Sequence, residues 1–309
     1  MNVSEIRQTA KLAPTFRGEF RGDEPMSRHV SWRAGGKAKQ YFKPADLADL
    51  QAFLPTLAKD EPILFVGLGS NLLVRDGGFQ GTVVMSTPTL HGLTLGEAES
   101  AVVCAGAGVA SPHVAKFAAK NHLAGAEWLA GVPGTIGGAL AMNAGCYGTE
   151  TWDQVVDCTT VDRCGALRTR TAVDFDIGYR HVAAKFVGDE WFVAARFRFQ
   201  PGDASTAQAR IKELLAKRMA TQPLDKPNAG STFRNPPGDH AARLIELCGL
   251  KGYAIGGAQV SMKHANFIIN TGNATAADIE NMIAHMQATV RAKTGVELVR
   301  EVKIVGDAA

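Results

Sequence analysis

Apolar positions along this chain recur at two periods, and the period changes from segment to segment. Leu47, Leu50, Phe53, Leu54 and Leu57 fall at helical spacing behind Asp46, which predicts a helix over 44–59. Short apolar runs at 63–66, 72–74, 82–85 and 101–105 predict strands, with Gly77-Gly78 marking a turn. Ser111-Pro112 reads as an N-cap and a helix-opening proline. Val114, Phe117 and Ala118 line one face of that helix, and Gly125 is expected to end it. Runs at 155–161 and 167–171 predict a hairpin turning at Arg163-Cys164-Gly165. Over 191–199, Phe197 and Phe199 oppose Arg196 and Arg198, as on a half-exposed strand.

Farther on, Ile211, Leu214, Leu215 and Met219 form a helical stripe with Arg218 beside it. A short helix is expected over 241–247 and a strand over 266–270. Thr275-Ala276-Ala277-Asp278 resembles a capping box. It opens a helix with Ile279, Met282, Ile283, Met286 and Val290 on one face, stopped by Gly295. A last strand is expected over 296–305. Strands and helices mix without strict βαβ alternation, which predicts an α+β fold. Pro201-Gly202-Asp203 is the expected domain boundary. It divides the chain into 1–202, with subdomains of about 1–86 and 87–202, and 203–309.

Composition narrows the function classes. The 309 residues carry a net charge of +3 from interspersed signs, and 46% of them are hydrophobic. Without a basic run or arm, nucleic acid is a poor partner, because backbone neutralisation needs clustered Lys and Arg. Apolar segments are too short for a membrane span, and the first residues lack the apolar core of a signal peptide. Cys104, Cys146, Cys158, Cys164 and Cys248 include no CxxC pair, and the histidines show no metal spacing. We expect a cytoplasmic monomer with no bound metal.

Chemistry concentrates in a few places. Asn228-Ala229-Gly230-Ser231-Thr232-Phe233-Arg234-Asn235-Pro236 brings a hydroxyl, a cation and an amide together between prolines. Prolines fix φ and push the preceding residue into extended conformations, so a shaped loop or edge is expected; a polar connector would fit the same string. Gly67-Leu68-Gly69-Ser70-Asn71-Leu72 follows a predicted strand, and its glycines would let backbone N–H groups approach a phosphate. It lacks the third glycine of GxGxxG, and no GxxxxGK[ST] occurs, which argues against Rossmann and P-loop sites. Pro133-Gly134-Thr135-Ile136-Gly137-Gly138 with Asn143-Ala144-Gly145 is a second side-chain-poor path. It is costly in backbone entropy unless something lies against it. Two such tracts suit an extended pyrophosphate ligand such as a dinucleotide. Arg180, beside Tyr179, is either a surface charge or a partly buried carboxylate binder. Glu301 is either a strand-edge residue or a carboxyl of raised proton affinity. His264 is either a ligand contact or a satisfied loop residue.

These motifs, in this order, resemble the UDP-N-acetylenolpyruvoylglucosamine reductase family, in its shorter subclass. The resemblance runs from His29-Val30-Ser31-Trp32-Arg33-Ala34-Gly35-Gly36 to Glu301-Val302-Lys303-Ile304-Val305-Gly306. It also takes in Gly256-Gly257-Ala258-Gln259-Val260-Ser261 and His264-Ala265-Asn266-Phe267. It implies an FAD-binding module of the PCMH/vanillyl-alcohol-oxidase type over 1–202 and a C-terminal α+β substrate domain over 203–309. It further implies NADPH as hydride donor and reduction of the enolpyruvyl ether of UDP-N-acetylglucosamine to UDP-N-acetylmuramate. That product serves peptidoglycan synthesis, and so cell-wall biogenesis, cell shape and cell division.

Carried over by motif, Ser231 is the proton donor, with Arg180 and Glu301 the other catalytic groups. The implied cofactor contacts are Gly67, Leu68, Gly69, Ser70, Asn71, Leu72, Pro133, Gly134, Gly137, Gly138, Asn143 and Gly145. The implied substrate contacts are Arg180, Arg218, Ser231, Asn235 and His264, with Gln222 a further carry-over. Two positions depart from the pattern: Leu68 replaces a glycine, and His181 directly follows the Tyr-Arg pair where many relatives place Ser or Thr nearby. An alcohol or hydroxy-acid oxidase of the same cofactor fold is the rival reading. Many such oxidases tether FAD through a His after Arg-x-Gly-Gly; here Lys37 follows Gly36, so non-covalent FAD is expected. A nucleotide-sugar binding module without catalysis is the second rival.

Overall fold

The structure is a computed structural model and describes residues 16–96 and 101–309. The leading stretch read above for a signal sequence lies outside the described residues. The chain builds three packed units, the first of them holding β1 (Glu19–Pro25), β2 (Lys37–Lys43), α1 (Leu47–Phe53), β3 (Ile63–Val66), β4 (Leu72–Val74) and β5 (Phe79–Met85). Four strands form a sheet in the order β1-β2-β5-β3, with β2 and β3 parallel to β5. The helix α1 is shorter than its apolar spacing predicts. Asp46 caps it by accepting from the Asp49 N–H at 2.9 Å, and Pro55 turns its end into a 3-10 turn over Leu54–Thr56.

The second unit holds β6 (Leu93–Leu95), β7 (Val102–Gly106), α2 (Ser111–Lys120), β8 (Leu123–Ala124), α3 (Ile136–Met142), β9 (Gly145–Cys146) and β10 (Thr149–Glu150). It continues through β11 (Val155–Asp162), β12 (Leu167–Arg170), β13 (Phe175–Gly178), β14 (His181–Ala184), β15 (Glu190–Arg198), β16 (Gln200–Pro201) and α4 (Ala204–Thr221). Five antiparallel strands run in the order β12-β11-β15-β7-β6. Ala105, Ala195 and Phe197 of that sheet meet Val114, Leu140 and Ile211 of α2, α3 and α4 in one core. Two expectations for α2 change here. Ser111 lies inside α2, with Ala110 as the N-cap. The helix stops at Lys120, not Gly125, because the Asn121 N–H closes its last turn and β8 then pairs with β16. The helix α4, which follows the expected boundary at Pro201-Gly202-Asp203, packs into this core through Ala207 and Ile211. On α4, Ala207, Ile211 and Leu214 are buried, whereas Met219 is 65% exposed and off the stripe.

The third unit comprises α5 (Ala241–Leu247), β17 (Ala254–Ile255), β18 (Ala258–Val260), β19 (Ile268–Asn270), α6 (Ala276–Thr294) and β20 (Lys303–Val305). The capping box of α6 is complete, its apolar face is buried, and Gly295 ends it at φ +73°. The expected last strand survives only as β20, and it leaves its own unit to pair parallel with β4. Alternation then makes β4 a shared wall. Leu73 enters the third core beside Trp32, while Leu72 and Val74 enter the first. The Trp32 indole N–H reaches into the third unit to donate to the Ile268 carbonyl at 2.7 Å. Arg75 forks onto Glu280 of α6 with two 2.8 Å bonds. This seam holds residues 231 and 301 against the loop after β3.

Candidate active site

Two glycine-bearing rims face each other across a cleft of about 460 Å³. The first leaves β3 as 67–72, and Gly69 turns there at φ +59°, where a Cβ would stand 2.2 Å from the His29 carbonyl oxygen. The second spans 131–135, with Gly134 at φ +124°. Ser70 Oγ donates to the Pro133 carbonyl at 2.9 Å and ties the rims together. At Gly138, by contrast, a Cβ would meet only Thr135 Oγ1 at 4.0 Å, so backbone faces open space. A cleft rich in glycine and other small residues fits a flat dinucleotide such as FAD, because its phosphates and ring can lie close to the main chain there.

The third unit lays the proline-bounded stretch along this cleft. It forms a shaped loop, as expected, and is clamped on both sides. Asn266 accepts from the Phe233 N–H at 3.0 Å and donates to the Phe233 carbonyl at 2.8 Å. On the other side the Glu301 N–H donates to the Thr232 carbonyl at 2.8 Å. Ser231 therefore stands in the cleft on a backbone held from two directions. The Asn71 amide donates to the Glu301 carbonyl at 3.2 Å, seating that segment on the first rim.

Arg180 comes from the second unit. It occupies the two-residue turn between β13 and β14 at φ +55°, a region most side chains avoid. Its side chain is 15% exposed and reaches across to Glu301, with Nε 3.0 Å from Oε1. Nη2 donates to the Gly145 carbonyl at 2.7 Å and Nη1 to that of Asn143 at 3.3 Å. Burial pushes the Glu301 carboxyl above its ordinary range, against the pull of Arg180 and Arg234. His181, next in sequence, is exposed and lies beside Asp176.

Ser231, Arg180 and Glu301 thus meet in one cleft, as do Gly67 to Leu72, Pro133, Gly134, Gly138 and Gly145. Other sequence-expected residues stand elsewhere. Gly137 packs against Ala107, where a Cβ would come within 3.0 Å of the alanine methyl. Asn143 is buried in the αL position that ends α3, and its amide donates to Glu150 and the Gly178 carbonyl. Arg218 lies outside the lining, its Nε bonded to Gln222 Oε1 at 3.0 Å, and it is Gln222 that lines the cleft. Asn235 accepts from the Ala241 N–H at the start of α5. His264 packs edge-on to Phe267, and Phe267 is the one that reaches the cleft.

The sequence reading missed Thr135, Cys146 and Lys303 in the lining. Lys303 had a signal, since it sits two residues from Glu301 on an extended segment. Cys146 donates to the Trp128 carbonyl at 3.0 Å, and burial pushes its thiol up to about 11. Among the described residues, no cluster of His, Cys, Asp or Glu could hold a metal ion. Nor is any helix there long and apolar enough to cross a membrane.

Comparisons with known proteins agree with this geometry. A family profile described as FAD binding domain matches residues 38–170. Another, described as UDP-N-acetylenolpyruvoylglucosamine reductase, C-terminal domain, matches residues 222–305. The chain is 54% identical to the UDP-N-acetylenolpyruvoylglucosamine reductase of Thiobacillus denitrificans, covering 99% of this chain and 98% of that one. It is 56% identical to the reductase of that name from Alkalilimnicola ehrlichii, over 94% of this chain and 96% of that one. Among solved structures, the UDP-N-acetylenolpyruvylglucosamine reductase of Thermus caldophilus superposes with a TM-score of 0.76 at 28% identity. That match covers 94% of this chain and 99% of the other.

Proposed function

This chain belongs to the UDP-N-acetylenolpyruvoylglucosamine reductase family, and from that membership we propose how its own residues carry the reaction. It is an FAD-dependent oxidoreductase of peptidoglycan synthesis. The rims 67–72 and 133–138 would hold FAD, the exception being Gly137, which is committed to packing. Bound FAD supplies hydride, taken from NADPH, to the methylene carbon of the enolpyruvyl ether.

The remaining work falls to the protein. As the methylene carbon is reduced, negative charge grows on the adjacent carbon and spreads into the carboxylate. Arg180 offers that carboxylate a cation, and Glu301, in its protonated form, offers a hydrogen bond. Ser231 then gives its hydroxyl proton to the charged carbon, completing UDP-N-acetylmuramate, and regains a proton from solvent. A neutral donor suits this step, because an ionised carboxylate in its place would hold no proton to give and would repel the developing charge. The observation that carries the reading is the convergence of Ser231, Arg180 and Glu301 from separate segments on one glycine-walled cleft.

A nucleotide-sugar substrate and NADPH favour the cytoplasm. The oxidase reading loses support at Lys37, which is exposed at the start of β2 and lines a separate hollow with Asp23 and Asp76. Purified protein is expected to show a flavin spectrum, to release its flavin on acid precipitation and to be bleached by NADPH. Anaerobic addition of the enolpyruvyl sugar nucleotide should restore the yellow absorbance. Flavin left in the acid pellet, or colour that returns only with oxygen, contradicts the assignment.

A further inference from the structure

Arg180 has two carboxylates within reach. Its Nε donates to Glu301 Oε1 at 3.0 Å, and Nη1 stands 3.7 Å from Glu150 Oε1. Glu150 is fixed from several sides. Its Oε2 accepts from Asn143 Nδ2 at 2.7 Å, and it exchanges capping bonds with Asp153 at the short turn that follows. Across the β9–β10 ladder it pairs with Gly145, whose carbonyl accepts from Nη2. Asn143, held by Glu150, supplies the carbonyl for Nη1. Glu150 thus braces both carbonyl-bearing residues that hold the guanidinium, which also lies over the Tyr179 ring, 4.9 Å from its centre.

A single guanidinium charge cannot fully compensate two carboxylates. We propose that Glu150 is a positioning residue for the reaction: it takes part of the Arg180 charge, so that Glu301 keeps its proton, and through Asn143 it fixes the guanidinium in the cleft. Other groups around Glu301 act in the opposite sense. Arg234 on the clamped stretch favours an ionised Glu301, and Lys303, two residues along, lines the same cleft. Cys146, on the turn that carries Gly145, faces the same cleft with Arg218 near it. Its thiol remains protonated at neutral pH and adds no compensating charge. Glu150 brings an opposing carboxylate, 3.7 Å from Nη1 of Arg180. The merely structural alternative is that Glu150 only caps the turn over Thr151–Asp153.

This inference rests on Glu301 acting as an acid, so its test separates the two. Holoprotein labelled with ¹³C at glutamate carboxyls is titrated by NMR, with the Glu301 signal assigned by its loss in Glu301→Gln. In Glu150→Gln the Glu301 midpoint is expected to fall by about one pH unit, since Arg180 then serves a single carboxylate. The falling limb of the pH profile for flavin reoxidation by substrate should move with it. A midpoint and limb that stay in place overturn the proposal, leaving Glu150 a cap. If the limb survives in Glu301→Gln, the acid role itself is wrong and the proposal falls with it. A second variant keeps the test open: Glu150→Asp, whose shorter carboxylate draws back from Nη1 of Arg180, should give a smaller fall in the Glu301 midpoint. An unmoved midpoint in Glu150→Asp, should Glu150→Gln fail to fold, equally overturns the proposal.

Discussion

Arg180 and Glu301 lie 121 positions apart in the sequence, yet Nε and Oε1 meet at 3.0 Å. One comes from a hairpin tip of the second unit and the other from the segment that enters β20. Their meeting requires β20 to cross from the third unit and pair with β4. The proposed catalytic arrangement is therefore a property of the seam between units, and a lesion in that seam should disturb it without touching Arg180 or Glu301.

The Glu301 carboxyl sits above its ordinary range because burial outweighs the attraction of Arg180. A raised folded value means that the folded state holds this proton more tightly than the unfolded one. Its contribution to stability is thus full below the unfolded value and is lost as pH rises through the folded one. Glu301→Gln, which has no charge to bury, should gain stability relative to wild type between pH 4 and pH 8. Urea midpoints measured across that range check it; a difference that is flat with pH contradicts the raised value.

Gly138 lies in the middle of α3, where alanine is the better helix former by about 0.8–1 kcal/mol. A methyl there meets nothing in the fold closer than 4.0 Å and instead enters the cleft. Gly138→Ala should raise the melting temperature of the flavin-free protein and weaken flavin binding by at least about tenfold, the effect of about 1.4 kcal/mol. Calorimetry and fluorescence titration measure the two. Tighter flavin binding in the variant would mean that this wall does not face the cofactor.

Cys146 lines the cleft, yet its thiol is pushed up to about 11. Alkylation follows the thiolate fraction and access. Iodoacetamide at pH 7.5 should label exposed Cys164 and leave Cys146 unmodified, with activity retained. Peptide mass spectrometry after timed labelling decides; rapid labelling of Cys146 would show that its surroundings stabilise the thiolate.

Much of this arrangement was legible in the sequence. Ser231, Arg180 and Glu301 stood out by residue type within recognisable motifs, and the α6 cap and apolar face followed directly from local spacing. What the sequence hid was non-local or paradoxical. α3 was concealed by Gly137 and Gly138, whose poor helix propensity is overridden where Gly137 packs on Ala107. Asn143, an expected cofactor contact carried over by motif, has an αL backbone and an amide bonded to Glu150, neither of which local spacing announces. The stripe on α4 announced a buried face without saying which core would receive it. Nor does any local signal tell a three-residue strand such as β20 that its partner lies in another unit.

The role given to Ser231 admits the sharpest test. In stopped-flow absorbance at the flavin band, Ser231→Ala should be bleached by NADPH at close to the wild-type rate. Its recolouring by the enolpyruvyl sugar nucleotide should slow by about 10²–10⁴-fold, the usual range for losing a positioned proton donor. Equal slowing of both steps, or recolouring at the wild-type rate, would contradict Ser231 as the donor.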